Sequence, residues 1–340
     1  MNSTIAGWVK PTSGWRIPQR STRPTLAVFV VALAASFAHA QSYPVRPIRL
    51  VVTSPPGGSQ DFLARLLGQA LSPVLGQQVV VENRTGASGI IGIDFVAKAA
   101  PDGYTLLLGA AGPIAVVPAF KEKLPFDPVR DFAPITMVAS GPFAVVVHPS
   151  VPARSLKELI AMARAKPGTL NYGSSGAGAS PHLAAELLKS MAQINLVHIP
   201  YKGVGPALTD LVGGQIDLMF ADVHLVLPHA KAGKLRALAV TSRDRSSVMP
   251  GAPTVSEAGV PGYSAGTWFG VLAPAATPPE IVSRLNAEIG KVLANASLRE
   301  RLSTQGIEPG GSTPEQFGAH LRSELAKWRN VVNAANIKLE

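Results

Sequence analysis

From Ile48 to Thr241 the chain alternates continuous apolar runs with helix-patterned stretches, and this alternation restricts its architecture more than any other feature. The runs IRLVVT (Ile48–Thr53), QVVVENR (Gln78–Arg84) and YTLLLGA (Tyr104–Ala110) lack the period-two pattern of half-exposed strands. Strands like these are covered on both faces, and the helical segments between them (Asp61–Gly76 and about Ala87–Lys98) supply the cover. Such a pattern predicts a parallel sheet flanked by helices. A second set of units begins at FAVVVHP (Phe143–Pro149). It continues through a helix opened by a capping box, Ser155 with Glu158, then LNYG (Leu170–Gly173) and a helix after Ser180. NLVHIPY (Asn195–Tyr201), a helix over Pro206–Val212, DLMFAD (Asp217–Asp222) and LRALAVT (Leu235–Thr241) complete it. From Pro279 the tail is helical, with Ile281, Leu285, Ile289 and Leu293 on one face. Two α/β lobes account for the 340 residues. The first takes residues 41–142 with 267–340 and the second 143–266, the chain crossing near Ser140 and again near Thr267.

Residues 1–40 read differently. Lys10, Arg16, Arg20 and Arg23 precede the apolar run TLAVFVVALAASFA (Thr25–Ala38), and AHA (Ala38–Ala40) places small residues at a cleavage site. This is the pattern of an export signal with a mature start at Gln41. The run is shorter than the ~20 residues that span a bilayer, so the expected location is the periplasm. Without the four basic residues, and with no acidic residue in that segment, formal charge falls from +10 to +6. The remaining cations are scattered, which argues against a nucleic-acid partner.

Three strand-to-helix turns are rich in glycine and serine: SPPGGSQD (Ser54–Asp61), RTGASGIIG (Arg84–Gly92) and GSSGAGASPH (Gly173–His182). Glycine permits close approach, and a helix start offers unpaired N–H groups at the positive end of the dipole. In open sheets such turns gather at the carboxyl ends of the strands, where ligands bind. Ser180 suits N-cap and Pro181 the first helical position, so a carboxylate fits the third loop without an arginine.

Enzyme signatures are missing. No turn carries the phosphate-loop lysine, and neither Ser88 nor Ser175 has glycine two residues away on both sides. His148, His182, His198, His224, His229 and His320 show no metal-ligand spacing, and the chain has no cysteine. His182, at a helix start, is the one histidine retained as a candidate. Asp61 and Asp222 lie at turns and strand ends without forming an acid–base pair, and no cofactor or metal is expected.

YPVRPIRLVV with PPGGSQDFLAR (within Tyr43–Arg65), NRTGASGIIG (Asn83–Gly92), SSGAGASPHLAAELL (Ser174–Leu188) and HIPYKGVGPALTDLVGGQIDLMF (His198–Phe220) resemble the tripartite tricarboxylate transporter solute receptors, the Bordetella uptake gene family. GKLRALAVTSRDRS and PTVSEAGVPGY (Pro253–Tyr263) extend the resemblance along the mature chain. It implies a two-lobed type II periplasmic binding fold, each lobe a central β-sheet flanked by helices. The fold would close on a small organic carboxylate held by amides, hydroxyls and bridging waters. By matching positions it implies Gly57, Gly58, Ser59, Asp61, Thr85, Gly86 and Ala87 from the first lobe. The second would give Ser174, Ser175, Gly178, Ser180, Tyr201, Lys202, Gly203 and Asp222. Thr53 and Ser54 depart from the proline and aromatic residue common there, which bears on the pocket wall. The implied protein is a monomeric receptor that passes its solute to membrane permease subunits. A ligand sensor for a membrane signalling protein, or a secreted hydrolase or isomerase using Asp61, His182 or Asp222, stands as the alternative.

Overall fold

The computed structural model describes Gly14 and residues 43–120 and 123–335, so the predicted export segment and the cleavage point before Gln41 lie outside the described residues. The chain builds two sheets. The first has six strands: β1 (Ile48–Val52), β2 (Val79–Asn83), β3 (Thr105–Ala110), β4 (Phe132–Gly141), β10 (Thr267–Pro274) and β11 (Glu308–Pro309), in the order β11-β4-β10-β3-β1-β2. The second has five: β5 (Phe143–Val147), β6 (Asn171–Ser174), β7 (Val197–Pro200), β8 (Leu218–Asp222) and β9 (Arg236–Val240), in the order β7-β6-β8-β5-β9.

Both sheets are mixed, which corrects the expectation of parallel ones. The runs predicted from the sequence do pair in parallel, β1 with β2 and β3, and β6 with β7 and β8. The strands next to the crossings run the other way: β10 is antiparallel to β3 and β4, and β5 to β8 and β9. The reason is connectivity. β4 ends at Gly141 and β5 starts at Phe143, so the chain leaves one sheet and enters the other through Pro142 alone. It returns beside that point, where Thr267 pairs with Gly141.

Burial on two sides explains the apolar runs of the inner strands, whereas β2 and β7, at the sheet edges, are only partly covered, against the expectation from the sequence. Along β5, Phe143, Val145 and Val147 pack with Leu156, Leu159 and Leu188, while Ala144 and Val146 pack with Leu211 and Val226 on the opposite face. β1 divides likewise, with Ile48, Leu50 and Val52 on one side and Val51 on the other. The covering helices are α1 (Ser59–Leu75), α2 (Ile90–Ala97), α3 (Leu156–Ala165), α4 (Ser180–Ala192), α5 (Val204–Val212), α6 (Val223–Lys231), α7 (Pro279–Ala294), α8 (Ala296–Ser303) and α9 (Pro314–Ala335). The cap predicted at α3 forms with one residue's shift: Ser155 accepts from the Glu158 amide at 3.2 Å, while the Glu158 carboxylate bonds the Arg154 amide, one residue before the N-cap, at 2.7 Å. No helix among the described residues is long and apolar enough to cross a membrane.

Candidate functional site

A cavity of about 510 Å³ lies between the carboxyl ends of the strands of the two sheets. Its first wall consists of the β1–α1 turn from Thr53 to Gln60, the Thr85–Gly89 turn after β2, and Gly112 with Pro113 after β3. Facing it are Ser175–Pro181 ahead of α4, Tyr201–Pro206 at the start of α5, and Asp222. Phe143, Thr267 and Phe269, from the crossing strands, close the back.

Three helices begin on this cavity, and none has its first amides satisfied by a side-chain cap. In α1 the first intrahelical bond runs from the Phe62 amide to the Gly58 carbonyl, 2.9 Å, leaving the amides of Ser59, Gln60 and Asp61 ahead of it. In α4 it runs from Leu183 to Ala179, 3.2 Å, and Pro181 contributes no N–H. α5 opens at Gly203, whose φ of 113° belongs to glycine and whose missing side chain leaves room for Pro55 of the opposite wall. Helix starts of this kind present donors and a positive dipole end to an anion.

Of the residues predicted for the site, the structure brings Gly58, Ser59, Thr85, Gly86, Ala87, Ser175, Gly178, Ser180, Tyr201, Lys202, Gly203 and Asp222 to the cavity wall. Gly57, Asp61 and Ser174 it does not. Gly57 is exposed on the outside of its turn. Asp61 is buried behind the turn, accepting from the Gly57 amide (3.0 Å), Arg65 (3.0 Å) and Asn83 (2.9 Å). Burial alone would push its carboxyl up, but these donors outweigh burial and hold it below the ordinary value. Ser174 lies beneath its loop, 2.7 Å from His198 Nε2 and 3.1 Å from both the amide and the carbonyl of Gly176. These two side chains hold the glycine turns in shape and do not line the cavity.

The expected cap of α4 is also corrected. Ala179, extended at φ −69° and ψ 153°, occupies N-cap, and Ser180 is the first helical residue with its hydroxyl uncommitted to the helix. His182 is not a cavity residue either. It is buried, its Nδ1 accepts the Gly178 amide at 3.1 Å, and its ring stacks on His198 at 4.1 Å. Burial, then the neighbouring His198 and Lys189, depress its pKa to about 3. The Tyr201 hydroxyl is pushed up to about 12 by burial and by donating to Asp210 at 2.7 Å, so this tyrosine offers its ring rather than its hydroxyl.

The walls touch. Ser59 Oγ of the first donates to Asp222 Oδ2 of the second at 2.5 Å, and Ser88 Oγ donates to the Ala177 carbonyl at 3.0 Å. Phe62 stacks on His224 with centroids 5.7 Å apart. Ala87 and Ser88 have positive φ, 48° and 56°, a conformation that costs non-glycine residues roughly 1 kcal/mol each, and it is this turn that delivers the Ser88 hydroxyl across the cleft. Burial raises the Asp222 carboxyl above its ordinary value, against opposing pulls from His224 and the Ser59 hydroxyl.

Sequence reasoning missed Gln60, Pro113, Phe143 and Phe269. Gln60 accepts from the amide (3.2 Å) and hydroxyl (3.1 Å) of Thr53 and donates to the Leu108 carbonyl, locking the first turn onto the sheet. That bond is the use of Thr53, whereas Ser54 Oγ, on the wall, has no hydrogen-bond partner among the described residues. The position of Gln60 within the predicted glycine turn could have flagged it. Phe269 carries no local signal, since its strand reaches the cavity from far along the chain.

Residues 63–337 match the family model described as the tripartite tricarboxylate transporter family receptor. The chain is 41% identical over 304 residues to protein BugT of Bordetella pertussis, covering 88% of this chain and 93% of that one. Among solved structures it is similar to R. palustris Rpa4515 with adipate (39% identity, TM-score 0.84, covering 87% of this chain and 99% of that one). It is also similar to MatC from Rhodopseudomonas palustris with bound malate (32% identity, TM-score 0.81, covering 85% and 100%).

Proposed function

Because the chain belongs to the tripartite tricarboxylate transporter receptor family, we propose that it is a periplasmic receptor that binds a small mono- or dicarboxylate and delivers it unchanged to membrane permease subunits. The observation that carries this reading is the meeting of three uncapped helix starts on one cavity whose sole lining cation, among the described residues, is the exposed Lys202. Amides fixed in place by the fold bind a carboxylate without the desolvation cost of a buried arginine. The adipate and malate of the two solved relatives are acids of this class and support it. Two of the acid–base candidates, Asp61 and His182, are engaged inside the fold, which favours binding over chemistry.

Residues 43–142 with 267–335 act as one lobe and 143–266 as the other. They hinge at Pro142 and Gly266, where the two crossings lie side by side. The solute enters while the lobes are apart, and the Ser59–Asp222 and Ser88–Ala177 bonds form as they close. Export through the segment before Gln41 places the receptor, as a monomer, outside the cytoplasmic membrane.

A thermal-shift screen of purified protein against small organic acids, sugars and nucleotides tests the reading. A ligand at ~100 times its dissociation constant stabilises by roughly 2.7 kcal/mol, and the hits should be confined to carboxylates. Mass spectrometry of the recovered ligand should return it unaltered. Hits among sugars or nucleotides alone, or a chemically changed acid, would overturn it.

A further inference from the structure

We infer that Asp222 selects, among small carboxylates, those that also carry a cationic nitrogen, so that the preferred solute is an amino acid-like zwitterion rather than a plain acid. This rests on the carboxylate-receptor reading above. The cavity wall is rich in donors: amides at three helix starts and the hydroxyls of Ser59, Ser175 and Ser180. Asp222 is the single acidic side chain on that wall among the described residues. It sits at the end of β8, where the chain turns into α6, and makes no side-chain cap to that helix.

When ionised, Asp222 has no charged partner among the described residues, and it is its withdrawal from water that raises its carboxyl above the ordinary value. None of the ion pairs among the described residues includes it. The ionisable group acting on it, His224, has its pKa lowered by burial and so supplies little positive charge. Lys202, the one cation on the wall, is exposed. A carboxylate withdrawn from water is costly unless a cation or several donors meet it, and here the donors are the Ser59 hydroxyl and the residue's own backbone amide. A carboxylate has about four acceptor sites, so an ammonium in the cavity finds room beside Ser59. A plain acid, by contrast, brings only negative charge toward this carboxylate.

A purely mechanical role, Asp222 as the latch for Ser59, makes a different forecast, because asparagine keeps the acceptor and discards the charge. The test is calorimetric titration of the full-length mature protein and of Asp222→Asn with three matched pairs: glutarate and glutamate, adipate and 2-aminoadipate, hexanoate and 6-aminohexanoate. Wild type should bind the amine-bearing member of a pair more tightly by about tenfold or more, the scale of one charge-assisted contact. Asp222→Asn should erase or invert that ratio. Equal or tighter binding of the plain acids by wild type would overturn the inference, as would an asparagine variant that keeps the preference. Should Asp222→Asn fail to fold by its melting curve, Asp222→Ser serves in its place, and its ratio between the members of each pair should likewise collapse even as both bind more weakly for want of the Ser59 contact. If none of the six acids binds the folded protein, the receptor reading itself falls; binding of plain acids alone sinks only the role of Asp222.

Discussion

Acid should loosen this protein through His182. The ring is buried, and its Nδ1 must stay unprotonated to accept the Gly178 amide. Its pKa falls from 6.5 to about 3 on folding, chiefly by burial. Between those values the unfolded chain binds a proton that the native state refuses, so stability rises with pH through that window. The contribution is intact above 6.5, begins to be lost as pH falls through it, and goes on falling toward about 3. At about pH 5, roughly 1.5 units into the window, the loss comes to about 2 kcal/mol at ~1.36 kcal/mol per unit. His224 and His320 are also lowered by burial and add to the acid sensitivity, so a variant is needed to isolate His182. His182→Asn keeps an acceptor near Nδ1 and does not titrate. Urea unfolding at neutral pH and at about pH 5 should show the variant losing about 2 kcal/mol less than wild type between the two conditions. The same loss in both proteins would refute the neutral, buried imidazole.

Four further outcomes follow from the same contacts. Ser59→Ala removes a hydrogen bond to a carboxylate that forms across the cleft, so solute affinity measured by calorimetry should fall by roughly 1.5–3 kcal/mol, with the melting temperature of the empty protein little changed. Ser180→Ala should weaken binding and leave stability nearly intact, because Ala179, not Ser180, is the cap of α4; a melting loss with unchanged affinity would contradict that. Asp61→Asn should destabilise the fold by about 1–3 kcal/mol at neutral pH, as Arg65 and the Gly57 amide lose their carboxylate. Since Asp61 has a depressed pKa, that stabilisation exists above the unfolded value of 3.8 and disappears as pH falls below it, which denaturant titration at low pH checks.

The strands whose both faces are buried were legible because every residue of a run such as FAVVV must be apolar when alternate side chains enter opposite cores. β4 and β10 were not, since Pro134, Gly270 and Pro274 interrupt them and their partners lie far away in sequence. Missing them made the first sheet look parallel; in the second, β5 was seen as a strand but its direction was not, because a run apolar on both faces reads the same in either orientation. In the site, the turns announced themselves through glycine and serine, but composition does not say which way a hydroxyl points. Ser174 and Ser175 are adjacent, and only the backbone path, with Ser174 still on β6, turns the first inward to His198 and leaves the second on the wall. Asp61 and Asp222 looked equivalent as acids near turns. The helical spacing to Arg65 and the reach of Asn83 claim the first, and the cavity receives the second.

A crystal structure of the protein with the acid that most raises its melting temperature addresses the carboxylate cradle without intermediaries. One carboxylate of the solute should accept hydrogen bonds, at about 2.7–3.1 Å, from amides at the starts of α1, α4 or α5 together with the hydroxyl of Ser175 or Ser180. A solute whose carboxylate is held instead by an arginine or lysine, or that lies outside the cavity between the two sheets, would contradict it.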